Sequence, residues 1–388
     1  MAKDHPGYRI FVLGAGFSKP AGLPLGPELY ALSKTKIERR FGKETKFQRD
    51  IEEYIEYRKA CDGIDLDESN LDLEKLISFW DIEHFLWLRG KDTWSDEGNE
   101  SQLMIRKAMG EVIQSRTPAS DQLPDVYYRF AESLTTKDIV ITFNYDVVLE
   151  RALDHLGKPY RLFPHRYKSI GRYSHTISDE QDELVVLKLH GSVDWFSNRQ
   201  FLELQESRAE QGLDKGRLHT VFDDPDRYGA APLVDGLRPP DDSLQNIFRI
   251  REVERYYRLD NGFNAPFMLS PSQVKFLYAP PILDFWHGLN RAGGWNLGVS
   301  IIGFSLPEHD EYIRQVLYNI VTNYQGFSWD DDFLGVKKGN VKFVDYRETK
   351  GGIEEYRARY GFSDQEKSEY WFDGFSDDAI SFIFGNPE

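Results

Sequence analysis

The stretch Tyr8–Tyr30, YRIFVLGAGFSKPAGLPLGPELY, decides the fold. Arg9–Leu13 is a run of β-formers stopped by Gly14, the pattern of a strand buried on both faces. Gly14, Gly16 and Gly22 crowd the turn that follows, and beyond Pro24 the chain reaches Pro27, suited to a first helical turn. Helical spacing then continues through Leu29, Leu32 and Ile37 to about Phe41. Such a turn brings the backbone amides around Ala15–Ser18 within reach of a phosphate. The same glycines also fit a tight turn with no ligand. The dehydrogenase pattern G-x-G-x-x-G is not met, because the third glycine falls late. The carboxylate that pattern needs at the end of a second strand is missing too, since Ala31–Arg40 reads as helix.

Further units of the same kind follow. DIVITFNYD (Asp138–Asp146) is a strand ending in polar residues, and VVLERALDHL after it reads as a helix. ELVVLKLHGSVDWF gives a third strand, and Leu297–Ile302 a fourth, followed by GFSLPEHD and a helix starting near Glu308. NVKFVDY is a short closing strand. Strands alternating with helices predict an α/β, Rossmann-like parallel sheet with helices on both faces. From Lys43 to about Arg116, apolar residues recur three and four apart, as in Leu73, Leu76, Ile77 and Trp80. This predicts a helical insertion over 43–120, with GKDTWSDEGNES as a polar loop inside it. The polar stretch from Asn198 to Gly262 reads as an insertion or a flap over the crevice. The chain thus divides into a core, 1–350, and a C-terminal extension, 351–388. In that extension Tyr370, Trp371, Phe372 and Phe375 pack within the chain or meet another subunit.

Composition narrows the class. Sixty-four acidic against 48 basic residues give a net charge of −16, so a nucleic-acid surface is not expected. One cysteine, Cys61, can build neither an intrachain disulfide nor a cysteine zinc site, and no His-x-x-x-His pair appears, so no metal is expected. The apolar run near the N-terminus is too short for a signal peptide, and no later stretch is long enough to span a bilayer. A cytoplasmic protein is expected.

The chemistry gathers at strand ends, which in a parallel sheet face the ligand crevice. In TFNYD, Thr142 closes the strand, Asn144 can hold a ribose hydroxyl or a water, and Asp146 can accept from an amide; either also fits a helix cap. In KLHGS, His190 stands at the end of a Val/Leu-rich strand, where a general base would act, although a satisfied buried histidine has the same context. His84, His155 and His165 keep that plainer reading. In GFSLPEHD, Gly303 and Ser305 can approach a ribose or phosphate, and Asp310 can cap a helix or contact sugar hydroxyls.

Taken in order, these motifs resemble the sirtuin-like family, and more specifically its bacterial antiphage-defence branch. The matching residues are Gly14, Ala15, Gly16, Ser18, Gly22 and Pro24; Thr142, Asn144, Tyr145 and Asp146; Leu189, His190, Gly191 and Ser192; and Gly303, Ser305 and Asp310. SPSQVKFLYAPPILDFW is similar to that branch's segment before the last core strand. The resemblance implies that Gly14–Ser18 bind the pyrophosphate of NAD, that Asn144 and Asp146 position the nicotinamide ribose and amide, that His190 is the base, and that Ser305 meets the adenosine side. The family's deacylases carry two cysteine pairs on a zinc module, which this chain lacks, and Asn144-Tyr145-Asp146 replaces their asparagine-isoleucine-aspartate. Both departures favour hydrolysis of NAD to nicotinamide and ADP-ribose. An NAD-dependent protein deacylase or ADP-ribosyltransferase, or a non-catalytic nucleotide-binding sensor subunit, are the alternatives. The branch further implies a regulated NAD-depleting effector, a homo-oligomer, and a partner such as a hexameric DNA-translocase-type ATPase.

Overall fold

The computed structural model describes residues 6–68, 71–90, 95–213, 220–258, 264–307, 310–332 and 335–385. Glu308, the expected start of a helix, lies outside them, as do parts of the GKDTWSDEGNES loop and of the 198–262 stretch.

The chain opens with β1 (Arg9–Leu13), the single turn α1 (Ala15–Ser18) and α2 (Gly26–Phe41). Then come α3 (Lys46–Asp62), α4 (Leu73–Phe85), α5 (Glu100–Arg116) and α6 (Asp125–Ser133), the helices expected between Lys43 and Arg116 among them. β2 (Ile139–Thr142), α7 (Val148–His155) and β3 (Tyr160–Arg161) precede a hairpin, β4 (Tyr167–Ile170) and β5 (His175–Ile177). β6 (Leu184–Lys188), β7 (Trp195–Ser197), α8 (Arg199–Glu210), β8 (Ala230–Pro232), β9 (Ile247–Ile250) and α9 (Val253–Arg258) make the middle of the chain. β10 (Gly298–Ile302), α10 (Glu311–Gly326), β11 (Val341–Val344), α11 (Lys350–Arg359), β12 (Ser368–Trp371) and α12 (Asp377–Phe384) complete it.

Seven strands form one sheet in the order β12-β11-β10-β1-β2-β6-β3, with every pairing parallel. A parallel sheet carries helices on its faces, so its central strands are apolar on both sides, as Ile10–Leu13 and Val299, Ile301 and Ile302 are. A buried ion pair, Arg9 to Asp138 at 2.6 Å, ties the start of β1 to the residue before β2. From β1 the chain builds outward to β2 and β6 on one side, and to β10, β11 and β12 on the other. The order therefore reverses between β1 and β10, where a crevice opens beyond the strands' carboxyl ends.

At that point two loops meet backbone to backbone. The Gly14 amide donates to the Ile302 carbonyl and the Gly16 amide to the Gly303 carbonyl, both at 2.9 Å. A Cβ on Gly14 would lie 2.5 Å from the Gly303 oxygen, and one on Gly16 would lie 2.7 Å from the Gly303 Cα. Gly303 itself has φ +64°, and its own Cβ would fall 2.2 Å from the Phe17 nitrogen.

Two segments differ from the sequence reading. Residues 351–385 belong to the sheet and its cover, because β12 is the sheet's seventh strand and the last helix packs on its face. Phe384 packs on Phe11 and Phe130, while Phe375 lies 4.6 Å from Phe17. The polar stretch after Asn198 is not a bare flap either. β7, β9 and β8 form an antiparallel sheet, and Phe196, Val221, Phe222, Tyr228, Ile250, Tyr256 and Tyr257 share a small core of their own.

Gly303→Ala should cost about 3 kcal/mol or more, because a left-handed φ and a backbone collision add. Gly22→Ala, at φ +85° with open space around it, should cost only about 1 kcal/mol. Urea unfolding of both variants checks this; equal losses would disprove the packing account.

Candidate active site

The loops at the ends of β1, β2, β6 and β10 enclose a cavity of ≈ 980 Å³, within the usual range for small-molecule sites. Of the residues singled out from sequence, Ala15, Ser18, Pro24, Asn144, Asp146, His190, Gly303, Ser305 and Asp310 line it. Gly14, Gly16, Gly22, Thr142, Gly191 and Ser192 do not. The Gly14 and Gly16 amides already face protein carbonyls, so what those glycines supply is close packing of the floor. No described residue of 198–262 lines the cavity; the opposite wall comes from α2, from Asp67, Glu68 and Leu71–Glu74 before and at the start of α4, and from Pro271 and Lys275.

Asn144 is fixed by its own turn. Its backbone amide donates to Thr142 Oγ1 at 3.1 Å, and its side-chain nitrogen donates to the Gly14 carbonyl at 2.9 Å and to Ser18 Oγ at 3.1 Å. The nitrogen is spent on the floor, so Oδ1 is the atom Asn144 can turn to a ligand. Asp146 does two jobs: Oδ1 accepts from the Val148 amide at 3.0 Å, at the head of α7, and the residue also lines the cavity. Beneath it, the buried ammonium of Lys188 donates to the Asp146 carbonyl and to Glu150 Oε1, pinning the turn from below.

His190 follows the last residue of β6 by two positions and is 5% exposed. Its basicity is held well below the ordinary value of 6.5, first by burial and then by the nearby Lys275 cation, which a hydrogen bond to the Phe143 backbone only partly offsets. The ring is therefore neutral near pH 7. Gly191 and Ser192 serve the layer behind it. Gly191 has φ +79° and no room for a Cβ against the Phe267 carbonyl, and Ser192 Oγ donates to Asp194 at 2.6 Å.

Sequence reasoning passed over several of the site's residues. Phe143 and Phe304 stack at 4.6 Å across the two loops. Lys275 and Asp310 form a buried pair at 2.6 Å, so Asp310 meets a cation and makes no side-chain cap at α10. Tyr312, on the first turn of α10, stands 2.9 Å from His190 Nε2. Lys275 was legible only as one cation in an otherwise apolar, proline-flanked run. His84, a histidine on the apolar helix α4, is satisfied at both nitrogens by Tyr278 and the Ser95 carbonyl. Among the described residues no group of three or more His, Cys, Asp or Glu could hold a metal ion, and no helix is long and apolar enough to cross a membrane.

Residues 138–223 match the family model described as the SIR2-like domain. That stretch holds the Asn144 turn and the His190 strand end. No curated protein matches the chain. Two solved structures overlap nearly its whole length. One, reported as "The Structural basis of Sirtuin Substrate Affinity", has 12% identity and a TM-score of 0.32, covering 97% of this chain and 92% of the other. The second, Sir2Tm bound to a propionylated peptide, has 13% identity and a TM-score of 0.34, covering 97% and 90%. Overlaps at that level carry no weight for activity. What is similar to the SIR2-like domain is thus the segment 138–223, which contains Asn144, Asp146 and His190.

Proposed function

We propose that the chain binds NAD in the cavity and hydrolyses it to nicotinamide and ADP-ribose. The observation that carries this reading is the convergence of Asn144, Asp146, His190 and Ser305 on one cavity from the ends of three strands. Its volume accommodates a dinucleotide, and the SIR2-like segment supplies three of the four residues. In the proposed reaction the bond between ribose C1′ and the nicotinamide nitrogen breaks, and its electron pair leaves with the base. A water oxygen bonds to C1′, and the proton that water loses goes to the neutral His190, directly or through a ribose hydroxyl. Asn144 Oδ1 orients the water or the ribose, and Asp146 the amide of nicotinamide.

Transfer to a protein acyl-lysine or to another acceptor uses the same first step. A nucleotide sensor without turnover would need only the binding half of the site. The wider reading, a regulated NAD-depleting effector of antiphage defence that acts as a homo-oligomer with a partner such as a hexameric DNA-translocase-type ATPase, rests on the motif resemblance alone.

Purified protein incubated with NAD should release free nicotinamide without an added acceptor. Release that requires an acetyl-peptide would favour the deacylase, and none at all the sensor. His190→Ala and Asn144→Ala should each cut release by about 10²-fold or more. Asn144→Ala should also lose about 1–2 kcal/mol of stability, since it unties the turn from Gly14 and Ser18. Wild-type turnover in either variant removes that residue from the mechanism.

A second test uses pH. Folded His190 takes up a proton only well below 6.5, whereas the unfolded chain takes it up near 6.5. Its contribution to stability is therefore complete above that value and shrinks as the solution is acidified. Between about pH 7 and about pH 5, wild-type unfolding free energy should fall more steeply than that of His190→Gln. Parallel curves in urea titrations would show that the folded ring titrates normally.

A further inference from the structure

The protein itself engages both sides of the His190 ring. One ring nitrogen hydrogen-bonds to the Phe143 backbone, and Nε2 lies 2.9 Å from the Tyr312 hydroxyl. The Phe143 amide donates to the Leu13 carbonyl, so the ring meets the Phe143 carbonyl, which only accepts; the single proton of the neutral ring goes there, and Nε2 then accepts from the Tyr312 O–H. Burial raises the Tyr312 phenol far above its ordinary range, which keeps it a donor.

Tyr312 is well anchored. Its ring lies 5.3 Å from that of Trp286 and 6.4 Å from that of Phe276, and the Lys275 ammonium sits over it at 5.9 Å. The same ammonium holds Asp310, two residues earlier, at the head of α10. His190, Lys275 and Asp310 line the cavity, but Tyr312 does not.

We propose that Tyr312 is a positioning residue that withholds His190: its hydroxyl occupies Nε2, and the lone pair that would activate water becomes available when that hydrogen bond breaks. This rests on the NAD-hydrolysis reading of the same site. Substrate binding has to turn the imidazole away from Tyr312 or draw the first turn of α10 aside, so part of the binding energy goes into freeing the base.

Tyr312→Phe keeps the ring among Trp286, Phe276 and Lys275 and removes only the donor. The full-length chain, labelled with 15N-histidine, is compared as wild type and Tyr312→Phe, with His190→Gln used to identify the ring resonances. Nicotinamide release is measured on the same samples. We expect the His190 Nε2 resonance to move toward that of an unbonded pyridine-type nitrogen. The turnover number should rise about two- to tenfold, the worth of one hydrogen bond, with KM little changed. An unchanged resonance would overturn the proposal, because Tyr312 would not then hold Nε2. A shifted resonance with turnover equal to or below wild type would overturn it as well, making Tyr312 a support or a relay. If neither protein releases nicotinamide, the hydrolase reading has failed; a shifted resonance then sustains the contact, and an unchanged one still overturns it.

Discussion

Everything in the crevice depends on two loops approaching more closely than side chains permit. Gly14 and Gly16 on one side and Gly303 on the other let backbone lie on backbone, with amide–carbonyl bonds in place of side-chain packing. The constraint is severe because each glycine would drive a Cβ into backbone atoms, which cannot swing away as a side-chain tip can. With the floor fixed, Asn144 finds the Gly14 carbonyl and Ser18 within reach, Phe143 can stack on Phe304, and the end of β2 is registered against the end of β10. The cavity is thus the space left above a rigid floor.

The surroundings reinforce that floor from behind. Phe17, directly after the glycines, is enclosed by Tyr127, Phe130 and Phe375, the last of which comes from the C-terminal segment. Lys188 and Glu150 supply a buried charge pair under the Asp146 turn. Such a pair adds little net stability, but breaking it strands a buried charge, so it strongly favours one arrangement of the turn. Burial of His190 and Tyr312 works in the same direction, keeping both rings uncharged and their hydrogen bond directional.

Much of this was legible in the sequence, for physical reasons. Central parallel strands are short apolar runs, and polar or glycine residues must interrupt them where they reach the crevice, so Thr142–Asp146, His190 and Gly303–Asp310 announced themselves. The role of Gly14 and Gly16 was harder to read, because close approach to a ligand and close approach to another backbone call for the same residue. β12 escaped notice because SEYW sits at the sheet edge with half-buried side chains, which read equally well as an oligomer contact. The small core around Phe196, Phe222 and Tyr256 draws on residues scattered through a polar stretch, a pattern with no local period. Lys275 and Tyr312 matter only through three-dimensional proximity to His190, and neither spacing nor composition marks them.

The position of β10 has a consequence for the timing of synthesis. β1 leaves the ribosome long before its neighbour in the sheet, Gly298–Ile302, because β2 to β9 and their helices lie between the two in sequence. Pairings so distant in sequence form slowly and late. Until they form, the Gly303 loop, Lys275 and Tyr312 are absent from the neighbourhood of Asn144 and His190. A nascent or truncated chain therefore has no assembled crevice, and whatever chemistry the site performs belongs to the finished molecule.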